Sequence, residues 1–111
     1  MAIENAQLTT TQLDILSVPA NKAYAITTVL VCNTSAVDTA SFDLHIIKNG
    51  QALGNKVTRV VNELSLPAGE TFTFDTEKIV LEGGDKISFV AEPDIGAGLT
   101  DLSAMVSYLE V

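Results

Sequence analysis

The pattern Leu-Ser-aliphatic-Pro-Ala occurs twice, at Leu16–Ala20 and at Leu64–Ala68, with alternating side chains after each copy. No other feature constrains the fold as much. Proline fixes φ and has no N–H for a strand ladder, so a strand reaching Pro19 or Pro67 stops pairing there. Small residues follow, which permits a sharp change of direction, and new alternating runs begin at Ala23 and Glu70. The segment "LEGGDKISF" makes a third corner with Gly83 and Gly84. In a protein of two stacked sheets such corners carry consecutive strands from one sheet to the other. The flanks of the two copies do not match, so the repetition is two corners of one kind and not a tandem repeat.

Between the corners the side chains alternate with period two, the mark of a strand. "SFDLHI" places Phe42, Leu44 and Ile46 on one face and Asp43 and His45 on the other. The same alternation recurs at Phe72 and Phe74, and at Ile87, Phe89 and Ala91. "TTVLVC", Thr27 to Cys32, is instead a continuous apolar run, the pattern of a strand covered on both faces or of a buried helix segment, and its short length and valine content favour the strand. Strands are expected near residues 7–17, 23–33, 40–48, 56–65, 70–75, 78–82, 85–91 and 101–110. The first is Thr-rich, as an edge strand often is. Between Lys56 and Leu66 a helical period also fits Val57, Val60, Val61 and Leu64, but β-branched content and Pro67 favour a strand. Asn49-Gly50 suits a tight hairpin or a longer loop equally. About eight short strands point to an all-β chain, a two-sheet antiparallel β-sandwich, jelly-roll-like, in a single domain over residues 1–111.

Fourteen acidic residues against six basic ones give a net charge of −8. Such a field opposes phosphate backbones and anionic lipid, so neither nucleic acid nor membrane is expected as a partner. No apolar run approaches the ~20 residues that cross a bilayer as a helix, and the first residues do not resemble a signal peptide. Cys32 is the one cysteine, which excludes an internal disulfide and fits folding in a reducing cytoplasm. The Asn33-Thr34-Ser35 sequon carries no meaning there.

Candidates for chemistry are thin. His45, the one histidine, falls on the polar face of its strand, where a solvated or hydrogen-bonded surface role is expected. Cys32 ends an apolar run and is expected to be a buried, inert thiol. One cysteine and one histidine do not make a zinc site. Asp94 and Asp101, with Glu92 near, are candidates for calcium, but their spacing matches no calcium loop. Gly96-x-Gly98 lacks the strand–loop–helix setting of a phosphate cradle. Asp14, Asp38, Asp43, Asp75, Glu77 and Asp85 are scattered. No catalytic, cofactor-binding or metal-binding residue is assigned, and an enzyme is not expected.

"AQLTTTQLDILSVPANKAYAITTVLVCNTS" resembles the N-terminal half of small virion proteins of tailed bacteriophages: a Thr-rich strand, a Val-Pro-Ala bend, then an aliphatic strand ending in Cys-Asn-Thr. "LSLPAGETFTFDTEKIVLEGGDKISFVAE" looks like the second half of the same group. The likeness covers most of the chain and contains no catalytic signature. It implies a capsid decoration or cement protein, a homo-oligomer on the outside of the shell. Its partners would be the major capsid protein or other virion subunits, and its location the virion, assembled in the host cytoplasm. A tail, neck or fibre component is the alternative, and a carbohydrate-binding module using Tyr24 and Tyr108 is the second. The polar segment Met1–Gln12 is read as weakly anchored, a frayed terminus being the commoner state and a place along a neighbouring subunit the alternative.

Overall fold

The structure, a computed structural model, describes residues 2–54 and 58–111, and the side chains of these except 75–78. Eight strands run in chain order: β1 (Ala2–Thr9), β2 (Leu13–Ser17), β3 (Ala23–Asn33), β4 (Ala40–Ile47), β5 (Arg59–Leu66), β6 (Thr71–Glu82), β7 (Lys86–Glu92) and β8 (Leu99–Glu110). They form two four-stranded antiparallel sheets, ordered β1-β8-β3-β6 and β2-β7-β4-β5. The pairings β1–β8, β2–β7, β3–β6 and β4–β5 are nested, so the chain is one long hairpin rolled over itself. This is the jelly-roll form of the β-sandwich.

Rolling that hairpin requires each side of it to cross between sheets at the same place. The repeated bend is one half of that arrangement. At Pro19 the chain passes from β2 to β3, and at Gly83-Gly84 its partner side passes from β6 to β7. The two corners are bonded to each other: Val18 N donates to Asp85 O and Gly84 N to Val18 O, each at 2.9 Å. They also lie so close that a Cβ on Gly83 would come 3.1 Å from both Pro19 O and Asn21 N. The Pro67 corner, from β5 to β6, faces the β3-to-β4 connection in the same way. Asn33 N donates to Glu70 O at 2.9 Å and Gly69 N to Asn33 O at 3.1 Å.

Between the sheets Ile26, Val29, Val31, Leu102 and Val106 meet Phe42, Leu44, Ile87 and Phe89, all buried. Phe42 is the hub of the aromatic contacts, with ring centroids 5.6 Å from Phe72 and 5.9 Å from Phe89.

Four expectations are corrected. The strand predicted over 7–17 is two strands in different sheets, since a corner at Thr10–Gln12 forms without proline or glycine. Thr9 Oγ1 donates to Thr11 O at 2.8 Å, and Thr10 N donates to Gly98 O at 2.9 Å. The strands predicted over 70–75 and 78–82 are one strand, β6, and the interruption is a register shift opposite Ile26–Thr28. The N-terminal segment is anchored: β1 pairs with β8 from Ala2↔Tyr108 to Thr9↔Leu99 and forms a sheet edge. Finally, β3 is covered on one face only. Val29 and Val31 are buried, whereas Thr28, Leu30 and Cys32 on the other face are half-buried. Of the predicted strand 56–65, residues 56–57 lie outside the described residues, and from Arg59 onward the strand reading holds. Asn49-Gly50 turns the chain, with Gln51 N donating to Lys48 O, inside a longer β4–β5 connection.

Candidate functional site

The residues singled out for chemistry are dispersed, and most have local structural roles. Asp94 Oδ1 accepts from Gly96 N at 2.7 Å and Gly98 N at 3.1 Å. The two glycine amides that a phosphate would use are thus occupied by the chain's own carboxylate. Among the described residues no three His, Cys, Asp or Glu side chains are placed to hold a metal ion. Asp85 closes the glycine corner, accepting from Asn49 N at 2.9 Å and Glu82 N at 3.0 Å. The side chains of Asp75 and Glu77 lie outside the described ones. Tyr24 and Tyr108 stack on each other with centroids 4.5 Å apart and pack against the core, so each ring covers the other. Burial and the nearby Glu4 carboxylate push the Tyr108 hydroxyl above its usual range.

Asn33 has a role that the sequence did not reveal. It is fully buried, and its Nδ2 donates to Asp38 O and Leu66 O, both at 2.8 Å, while Oδ1 accepts from Ser35 N at 3.0 Å. The sequon asparagine is therefore a pin between β3, the following loop and the end of β5.

The outer face of the sheet β2-β7-β4-β5 is charged. Directly opposed residues share a face, so the register sets Asp14, Ser88, His45 and Arg59 in one row across it. Ser88 Oγ donates to Asp14 Oδ1, Lys86 Nζ lies 3.7 Å from Asp14 Oδ2, and Arg59 Nη2 lies 3.5 Å from Asp43 Oδ2. Burial alone would raise the Asp14 carboxyl; hydrogen bonds from Ser88 and Gln12 and the Lys86 charge outweigh it and hold the group below its usual range. Asp43, Glu63, Glu92 and Asp94 line a cleft at one end of this sheet.

Of the solvated or hydrogen-bonded surface role expected for His45, the hydrogen bond is present but the surface is not: the residue is buried within that row. The alternation placed it on the correct face, but Thr58, from the β4–β5 connection, lies against it with Nδ1 2.8 Å from Thr58 Oγ1. Thr58 Oγ1 donates its proton to Gly54 O, so Nδ1 carries the imidazole proton and donates to Oγ1. Nε2 has no partner. Burial lowers the imidazole pKa; the Asp43 carboxylate opposes this and the Arg59 charge adds to it. A base with a lowered folded pKa stays neutral in the fold while the unfolded chain takes up a proton below about pH 6.5. Stability is therefore complete above that pH and falls as the pH drops toward the folded value. Thermal melts at pH 7.5 and 5.5 are expected to show a lower Tm at 5.5. His45→Phe, which does not titrate, should flatten the difference; an unchanged difference would place its origin elsewhere.

The outer face of the sheet β1-β8-β3-β6 is of another kind. Its rows read Leu109–Ala25–Val80, Ile3–Ser107–Thr28–Asp75, Asn5–Met105–Leu30–Thr73 and Gln7–Ser103–Cys32–Thr71. Apart from position 75, whose side chain lies outside the described ones, these central rows hold no acidic or basic residue; Glu82, opposite Ala23, and Asp101, two residues before Ser103, lie at the two ends of the same face. Ile3, Val80 and Leu109 are 55%, 54% and 41% exposed, and Leu30 and Met105 are half-buried. Cys32 is half-buried on this face, not sealed in the core as expected.

No protein-family model matches the chain, and no curated protein matches it. A chain in the structure of infectious bursal disease virus, Gx strain, is similar at 19% identity and a TM-score of 0.49, over 94% of this chain and 30% of that chain. This chain thus spans under a third of that neighbour's length, and the likeness carries no argument about function.

Proposed function

We propose that this protein is a structural subunit of a bacteriophage virion, a decoration or cement protein bound to the outside of the capsid shell. The observation that carries the reading is the division of its surface: a chain of net charge −8 presents one sheet face whose central rows hold no charged side chain among those described, with Glu82 and Asp101 at its two ends, and one face that is charged across its width. A soluble chain is expected to interrupt such a face with lysines and glutamates unless the face is to be covered. The resemblance of both halves to small phage virion proteins supports the same reading, and an acidic exterior suits the outside of a shell better than contact with packaged DNA. The role is one of attachment, not turnover.

Expanded capsids of a tailed phage lacking the subunit provide the test. Purified protein is expected to co-sediment with them and saturate at a stoichiometry matching the lattice symmetry. Absence of capsid binding would overturn the decoration role, and binding to tails instead would move the subunit to the tail, neck or fibre.

A further inference from the structure

We propose that the central, apolar and hydroxyl-lined part of the outer face of β1-β8-β3-β6 is a self-association surface, covered in solution by the same face of a second copy. Strand β3 is covered on one face only. Its run Thr27–Cys32 has the composition of a strand buried on both sides, yet the chain alone buries one side. Leu30 on β3 and Met105 on β8 are directly opposed near the centre of the open side, flanked by Ile3 on one edge of the face and by Leu109 and Val80 at one end. Serine and threonine fill half of the remaining positions, so small side chains are interspersed with large ones across the face. Two such pleated faces interdigitate at the ~10 Å spacing of stacked sheets.

Charge selects the occupant. Two copies each carrying −8 repel wherever their charged surfaces meet; the central rows of this face bring no charged side chain among those described, and Glu82 and Asp101 at its two ends confine the contact to that centre. A two-fold arrangement needs one self-complementary patch, which the pleated centre of this face supplies. The area is adequate. Four strands about 4.8 Å apart and four side-chain rows about 6.8 Å apart, with their margins, cover roughly 500 Å² per copy and about 1,000 Å² for the pair. That is the size at which specific association begins, so a reversible dimer is expected. The choice of an assembling copy as occupant rests on the virion-subunit reading, but it is measured apart from capsid binding.

Sedimentation equilibrium of the whole chain decides it, with circular dichroism confirming that each variant is folded. The wild type is expected to be a concentration-dependent dimer. Met105→Lys, at the centre of the face, should weaken association by at least about tenfold through like-charge repulsion across the two-fold axis. Val80→Lys should weaken it in the same direction, and this exposed position retains the test if Met105→Lys does not fold. Val60→Lys, at a position 52% exposed on the other sheet, should leave the dimer intact. A wild type that is monomeric up to about 100 μM overturns the proposal. So does a dimer lost in Val60→Lys but kept in the two face variants. A monomeric wild type whose capsid binding is lost in Met105→Lys also overturns it and assigns the face to the shell. A dimer that binds no capsid upholds it while the decoration role fails.

Discussion

Replacing Phe42 by alanine is expected to destabilise the fold by about 3–5 kcal/mol and to lower Tm by roughly 15 °C. Phe42 is 1% exposed and touches two other rings, one from each sheet: Phe72 on β6 and Phe89 on β7. Truncation leaves a cavity between rigid pleated layers, which cannot collapse without moving a whole strand. Chemical denaturation measures the loss directly. Phe42→Leu, which keeps most of the volume, should cost well under half as much. A loss below about 1 kcal/mol for Phe42→Ala would mean that the ring does not lie between the sheets.

The second large effect is expected at Asn33. Asn33→Ala removes three side-chain hydrogen bonds and leaves Leu66 O buried without that donor, which should cost about 2–4 kcal/mol. Asn33→Asp is the sharper test. It keeps size and shape but sets a carboxylate oxygen against the carbonyls of Asp38 and Leu66, where Nδ2 had donated to both. It should therefore destabilise more than alanine does. If aspartate proves the milder replacement, Asn33 is not the pin that joins β3 to the Pro67 corner.

These positions show where the sequence was informative. Phe42 was legible because its alternation with Leu44 and Ile46 is a local signal of a core face. The corners at Pro19, Pro67 and Gly83-Gly84 were legible because proline and glycine act on their own backbone, and each does move the chain between sheets. The corner at Thr10–Gln12 was not legible, because it is held by Gly98 from the far end of the chain. The break in β6 read as a turn because alternation stops equally at a turn and at a register shift. His45 followed the alternation, but burial also depends on Thr58, which a distant connection supplies. Asn33 was visible only as part of a sequon, since its partners at Asp38 and Leu66 are set by tertiary structure.

The open face of β1-β8-β3-β6 was half legible. The apolar run in β3 announced a strand with two covered faces, and the structure covers one. Which other residues share the open face depends on the order of β1, β8, β3 and β6, and no local pattern encodes that order.

The account stands most directly on whether this face is where the molecule meets its neighbours, and methyl NMR on dilution reads that without altering the surface. The chain has two methionines, so the Met105 methyl is simple to assign. The account predicts that Met105, Leu30, Ile3, Leu109 and Val80 methyls shift together with concentration, fitting one dissociation constant, while Val60 and Val37 stay fixed. Shifts confined to Val60 or Val37, or no dependence on concentration at any methyl, would contradict it.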